Sequence, residues 1–505
     1  MYAVEVNAPT PTIAAEVTRR LEWCLALCAV AAGLVFIVVG IDRPVWLDEA
    51  NSVLIAKGGF AAIVDGLSRD NNFPLYYFVL SVWMRVFGDS EIALRSLSAV
   101  FYLGGCAAAF VLVRRLTGAA RSGWYAALFY GVSPLAIRQA QNIRMYALLG
   151  MMCGLSLWCW VRLIRDGEES RTAWVWMVAV DLLGMLTHAW FAFVLAGQFA
   201  ATVIFGRRRL VRFLLAAALA AVPWMLIWGI VFWRQLHNGA TSWMPPMSPG
   251  LAVIALAEFY GPMGAVLLIA IAIASAATAS FSKYRCAGPP LVIFAVCVAA
   301  PLAVSVVKPI YWPGRYLIIA LPPLVAVLAP ALAAPGRPAA AMAALLLMGV
   351  QVAAQVRHRD EVPEASLAPG QSDRTTAQFL LAHGSPDDAV VFTSLTRAPA
   401  DYYFERAGAA RRFREFSFPA DVATHLGWTE RTVTPSRRRS LEGEAAALAE
   451  RLCDISRLGR TVWVYDGPGE MRSILLQRLQ ATLSVRATHE LEGPYHKRIL
   501  EFGAN

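Results

Sequence analysis

Stretches of about 20 apolar residues recur along this 505-residue chain, closed by arginines or by Pro and Gly, and a helix needs about that length to cross a bilayer's hydrocarbon core. They fall near 22–41, 92–113, 122–137, 146–161, 172–188, 190–206, 211–232, 251–280, 289–307, 317–334 and 339–356, which makes eleven candidate spans. Hydrophobic residues make up 58% of the chain, more than one or two soluble cores can hide. The expected fold class is therefore a polytopic α-helical membrane protein. Arg19 and Arg20 precede an apolar run, Leu21–Gly40, that is too long for a signal-peptide core and lacks a convincing A-x-A site, so a retained first span is expected.

The net charge of +10 raises the question of nucleic acid, and its distribution answers it. Residues 357–505 hold 20 basic and 20 acidic side chains, which leaves the whole excess in residues 1–356. Basic residues there recur at every second loop: Arg19/Arg20, Arg114/Arg115/Arg121, Arg162/Arg165/Arg171, Arg207–Arg209 with Arg212, Lys283/Arg285 and Arg337. This is a positive-inside pattern, which makes that side the cytoplasm and excludes a nucleic-acid surface. Alternation over an odd number of spans puts the N-terminus in the cytoplasm and residues 357–505 outside a bacterial inner membrane.

Residues 42–91 form a long first external loop with helical periodicity in Glu49–Lys57 and Phe60–Leu67. Pro74–Phe87 is apolar but too short to span comfortably, so a helix lying along the membrane surface is expected. The chain divides into a membrane domain, residues 1–356, and an α/β domain, residues 357–505, joined by a Pro/Gly/Ser-rich linker at Glu361–Ser372. In the second domain the patterns predict helices at Thr375–Ala382 and Glu470–Thr482 and strands at Ala389–Thr393, Thr461–Tyr465, Leu483–Thr488 and Lys497–Phe502. Seven of the eight cysteines lie in or beside apolar runs, and neither a disulfide framework nor metal-ligand spacing follows.

Polar residues that could do chemistry cluster in the external loops. Trp46-Leu47-Asp48-Glu49-Ala50 places two carboxylates just after the first span, either as a general base with its neighbour or as helix N-terminal acids stabilised by the dipole. Asp70, Asn72 and Tyr77 lie in a segment, Asp70–Tyr77, that brings the loop back to the membrane with Pro74 at a helix start. Arg138, Arg144 and Tyr146 follow in the second external loop, where arginines on the outer side call for an anion such as a lipid phosphate or headgroup. Lys308, Tyr311, Arg315 and Tyr316 repeat that theme before a later span, and the aromatic members also suit a membrane-interface belt. His188 either bonds a substrate or caps a helix. Asp181 in mid-span is either functional or an interhelical hydrogen-bond partner.

In their order along the chain, these residues resemble the GT-C class of membrane glycosyltransferases, which includes the protein O-mannosyltransferases and the lipid A aminoarabinose transferases. The resemblance rests on Trp46–Ala50, Asp70–Tyr77, Phe87–Glu91 leading to Ala93-Leu94-Arg95, and Arg114-Arg115-Leu116. It continues through Ser133-Pro134-Leu135, Gln141–Tyr146, Thr187-His188 and Gly314-Arg315-Tyr316, and so covers most of residues 40–320. It implies a polyprenyl-phosphate sugar as donor, transfer with inversion, and Asp48 as the catalytic residue with Glu49 beside it. The acceptor would be a hydroxyl of a glycan, lipid or protein of the cell envelope, and membrane lipids would surround the whole. Two departures stand out. Asn72-Phe73-Pro74 replaces the common His-Pro-Pro or Lys-Pro-Pro, and Arg144-Met145-Tyr146 replaces a second acid found in some members. One carboxylate pair offers few ligands to a hard cation, so a divalent cation is expected only if the substrate phosphate supplies further oxygens. The rival readings are a transporter or flippase for a lipid-linked or anionic substrate, and a non-catalytic receptor. Neither the paired interrupted helices of the first nor a binding motif for the second is apparent.

Overall fold

The computed structural model describes residues 13–237, 241, 244–278, 286–334, 337–357, 373–393, 395–423, 433–467, 471–491 and 497–504. Lys283, Arg285 and the linker Glu361–Ser372 lie outside these.

Among the described residues, sixteen α-helices build the chain as far as Arg357. In chain order they are α1 Ile13–Val39, α2 Leu47–Lys57, α3 Gly59–Arg69, α4 Pro74–Phe87, α5 Glu91–Thr117, α6 Ala120–Gly131, α7 Pro134–Ala140 and α8 Tyr146–Trp160. They continue as α9 Arg171–Met185, α10 Phe191–Phe205, α11 Leu210–His237, α12 Pro249–Ala257, α13 Gly261–Thr278, α14 Gly288–Val307, α15 Leu321–Ala333 and α16 Arg337–Arg357. A helix lies at each of the eleven expected positions, but among the described residues only seven are long and apolar enough to cross a membrane, or eight if α12 and α13 form one broken span. The physical reason is local. Ser133-Pro134 splits the run 122–137 into α6 and α7, and α6, at 12 residues, reaches only about 18 Å. The run 251–280 breaks by 69° between Ala257 and Gly261.

The faces turned to lipid are apolar and exposed, as Leu226 at 82% and Val307 at 90% illustrate. Buried polar groups are paired across helices instead. Asp181 of α9 accepts from Ser156 of α8 at 2.6 Å, and Ser156 accepts from Gln198 of α10 at 2.8 Å, an interhelical contact away from the cavity described below. The basic loops gather at one end of the bundle, where Arg115 meets Asp166, Arg209 bonds the carbonyls of Ile164 and Arg165, and Arg212 meets Glu169. Helices α2, α3 and α4 pack together in the segment between α1 and α5, with Tyr76, Tyr77 and Leu80 of α4 buried.

Beyond α16 the chain forms a three-layer α/β unit. Its elements are α17 Asp373–His383, β1 Ala389–Thr393, α18 Arg397–Arg406, β2 Arg414–Phe418, α19 Pro435–Arg457, β3 Val462–Asp466, α20 Met471–Thr482, β4 Ser484–Leu491 and β5 Lys497–Gly503. The sheet order is β2-β1-β3-β5-β4, with β2, β1 and β3 parallel and β5 and β4 antiparallel. Every residue of β1 and β3 is buried, as expected for strands covered on both faces. Val390 and Phe392 pack with α17 and α18 in a core continuous with the membrane domain, while Ala389 and Val391 pack with α19 and α20. Strand β2 and helices α18 and α19 were not anticipated from the sequence pattern.

Candidate active site

Helix α2 starts at Leu47, and its two first-turn carboxylates benefit from the helix dipole. Successive helical residues point about 100° apart, so Asp48 and Glu49 cannot face the same surroundings. Glu49 turns inward and is fully buried with Arg95 of α5, which bonds both its oxygens at 3.1 and 2.5 Å. The Ile143 N–H adds a third bond to Glu49 at 2.9 Å, and Arg95 also donates to the carbonyls of Ile41, Arg43 and Pro44. A buried ion pair with this many partners is a structural bracket, and Glu49 does not reach the cavity beside it.

Asp48 faces a cavity of about 660 Å³ at the end of the bundle opposite the arginine-rich loops. Arg315 Nη1 lies 3.0 Å from Asp48 Oδ2, and Arg144 Nη2 lies 4.0 Å from the same oxygen. The Arg315 guanidinium also sits over the Trp46 ring at 5.2 Å. Arg144 is held by the Asp48 carbonyl at 3.3 Å, Ser52 Oγ at 3.2 Å and Asn72 Oδ1 at 3.2 Å. Asp70, also on the wall, accepts from Asn51 at 3.1 Å and Asn72 at 2.6 Å. Lys308 supplies a third cation and donates to the Leu236 carbonyl at 2.9 Å. Three cations against two carboxylates give the cavity an anion-attracting balance.

The aromatic wall is a stacked set. Tyr316 lies against Trp190 with centroids 4.8 Å apart and meets Tyr146 edge-on at 5.7 Å, with His188 5.6 Å from Tyr316. His188 sits in the turn between α9 and α10, where its Nδ1 accepts from the Trp190 N–H at 3.1 Å, so it caps α10 and lines the cavity at once. Burial first, and the Arg144 charge second, push its pKa down to about 3, which keeps the ring neutral. Toward Phe193, Phe232, Leu236 and Val304 the wall becomes apolar. Among the described residues no three His, Cys, Asp or Glu side chains converge on a metal site.

Of the residues singled out in the sequence, Asp48, Asp70, Asn72, Arg144, Tyr146, His188, Lys308, Arg315 and Tyr316 line this cavity. Four do not. Glu49 is engaged by Arg95; Tyr77 is buried in α4; Arg138 packs its guanidinium against Gly314; and Tyr311 donates to Glu258. The lining residues Asn51, Trp190 and Gln235 were not anticipated. Gln235 binds the carbonyls of Leu67, Asp70 and Asn72 at 2.8–3.0 Å, and its signal was a lone amide at the end of an apolar helix. Leu395 joins the wall from the C-terminal unit, and nothing in the sequence marked it.

The chain is similar to several known proteins. A family model described as dolichyl-phosphate-mannose-protein mannosyltransferase matches residues 71–233. The undecaprenyl phosphate-alpha-4-amino-4-deoxy-L-arabinose arabinosyl transferase 2 of Pseudomonas fluorescens is 26% identical over 251 residues, covering 44% of this chain. That match spans only 43% of the relative's own length. The crystal structures of ArnT from Cupriavidus metallidurans, apo and bound to undecaprenyl phosphate, superpose with a TM-score of 0.61 each at 16% and 15% identity. Both cover 94% of this chain and 97% of theirs. The polytopic helical fold is thus shared with the solved ArnT structures.

Proposed function

We propose that this chain is a glycosyltransferase that moves a hexose or pentose from a polyprenyl-phosphate donor to an acceptor hydroxyl on the extracytoplasmic face, with inversion. The observation that carries this reading is Asp48 Oδ2 facing the cavity between Arg315 at 3.0 Å and Arg144 at 4.0 Å. The undecaprenyl phosphate bound in the solved relative and the dolichyl-phosphate wording of the matching family support a lipid-phosphate donor. The apolar end of the cavity suits the first isoprene units, and the cationic end suits the phosphate.

In the reaction, Asp48 accepts the acceptor's hydroxyl proton while that oxygen attacks the anomeric carbon. The bond between the anomeric carbon and the phosphate oxygen breaks, and the electron pair leaves on the lipid phosphate. Arg144, Arg315 and Lys308 stabilise that charge; removal of one such donor typically costs about 3–4 kcal/mol of transition-state stabilisation. The incoming phosphate competes with Asp48 for Arg315, which frees the carboxylate to act as a base just when the donor is seated. Asp70 with its asparagines offers hydrogen bonds to sugar hydroxyls. Glu49 positions Asp48 through Arg95 and does not itself touch substrate.

The basic loops at the other end of the bundle support a cytoplasmic placement for that end, and hence an outer-face location for the cavity and the C-terminal unit. The test is transfer of label from a radiolabelled polyprenyl-phosphate sugar in membranes carrying the protein. Product that disappears in Asp48→Asn at equal protein level is the expected result. Translocation of the labelled lipid without any glycosidic product would instead support a flippase.

A further inference from the structure

The turn that carries Arg315 is held by a carboxylate outside the cavity. The segment Lys308–Arg315 runs from the end of α14 into the turn before α15 with little regular structure of its own, yet it must hold a guanidinium 3.0 Å from Asp48 Oδ2. Glu258 lies on the other side of this segment, at the 69° break between α12 and α13. Its Oε1 accepts from the Tyr311 hydroxyl and, at 2.7 Å, from the Gly314 N–H. The next peptide oxygen is fixed as well, because Gln139 of α7 donates to the Gly314 carbonyl. Gly314 adopts φ +81°, and a Cβ at that position would lie 2.7 Å from Arg138 Nη1, so the turn accepts only glycine without strain.

The break carrying Glu258 is itself anchored. Ser133 donates to the Phe259 carbonyl at 3.0 Å, Tyr260 donates to the Phe129 carbonyl at 2.9 Å, and Gln351 of α16 donates to the Tyr260 carbonyl at 2.9 Å. The carboxylate therefore links a rigid point in the bundle to the amide of the residue immediately preceding Arg315. A carboxylate with this placement and no access to the cavity has no evident use except to fix that turn.

We infer that Glu258 is the positioning residue for Arg315: by holding Tyr311 and the Gly314 amide together, it sets the guanidinium that meets Asp48 and, on the function proposed above, the donor phosphate. Arg138, packed on Gly314 and within electrostatic reach of Glu258, closes the same turn from the opposite side.

Two readouts on the full chain in lipid nanodiscs test this separately from the proposed reaction. The first is backbone hydrogen exchange over residues 309–316. Glu258→Ala should speed exchange there, and Glu258→Gln, which keeps an acceptor oxygen, should stay near wild type. Unchanged exchange in Glu258→Ala overturns the tether whatever the protein's substrate. The second is binding of undecaprenyl phosphate. Glu258→Ala should weaken it about tenfold in the wild-type background and have no further effect in Arg315→Gln, because two residues acting as one unit are not additive. Equal losses in both backgrounds would show that Glu258 acts independently of Arg315 and overturn the positioning role. If wild-type protein bound no undecaprenyl phosphate, the donor assignment would fall while the exchange result still decided the tether.

Discussion

Asp48 and Glu91 each sit between two arginines, and they do opposite things. Asp48 lies between Arg315 and Arg144 with its side chain 20% exposed to a cavity, and only one of its contacts is a close hydrogen bond. Glu91, at the start of α5, lies between Arg374 at 2.9 Å and Arg406 of the C-terminal unit, with its side chain 10% exposed and each oxygen taken. Around Glu91 the seam is closed by Lys57 bridging Asp89 and Glu405, by the Tyr402 hydroxyl donating to the Asp89 carbonyl, and by the Val45 N–H donating to Tyr403. The composition is the same, but Glu91 is saturated and joins two bodies, whereas Asp48 keeps lone pairs directed at open space. Unsatisfied bonding capacity beside a cavity, more than charge itself, separates a reactive carboxylate from an adhesive one.

That comparison can be broken or sharpened by experiment. The largest effect belongs to the pair Asp48→Asn and Glu91→Gln: the first should reduce sugar transfer by about 10³-fold with normal protein level, and the second should leave most of it. Equal losses would erase the distinction. Arg315→Gln should follow with a loss of about 10²-fold in turnover and a weakened hold on lipid phosphate, measured with the same labelled donor.

At the seam, Arg406→Ala should lower turnover by no more than about twofold, since partly exposed ion pairs contribute roughly 1 kcal/mol or less each to docking. Added salt should weaken wild-type docking in the same direction, read as easier proteolytic release of the C-terminal unit. The smallest effect concerns His188. Its folded pKa, near 3, is below the usual value near 6.5, so as the pH falls below about 6.5 the unfolded chain takes up a proton that the folded chain refuses. Thermal stability should therefore decline from pH 6.5 downward, and His188→Gln should flatten that slope. An unchanged slope would mean that the imidazole is charged in the fold.

That the chain is a polytopic helical membrane protein was legible because apolar run length is set by the bilayer, which acts on each segment independently of the others; the number of spans was not, since among the described residues seven or eight helices, and not eleven, are long and apolar enough to cross. The cavity residues at 48, 144 and 315 were legible because carboxylates and arginines beside apolar spans demand an explanation that apolar neighbours do not. The helix breaks were less so. Whether Pro134 or the 258–260 stretch interrupts a span depends on partners such as Ser133 and Gln351 that only tertiary packing reveals. The inward turn of Glu49 was hidden for a similar reason, since its partner Arg95 is 46 positions away. Helix α19 was missed although it runs for 23 residues, because its first turns are polar on every side and only Leu441, Ala445, Leu448 and Leu452 mark a buried stripe. Leu395 reaches the cavity only because α18 docks on α2, a long-range event with no local trace.

The most direct measurement is the position of the phosphate in a structure of the full chain with a polyprenyl phosphate bound. The account predicts phosphate oxygens within hydrogen-bond reach of Arg144 and Arg315, the isoprene chain leaving along Phe193 and Phe232, and Asp48 released from Arg315 toward the cavity. A phosphate seated elsewhere, with the Asp48–Arg315 pair still closed, would contradict it.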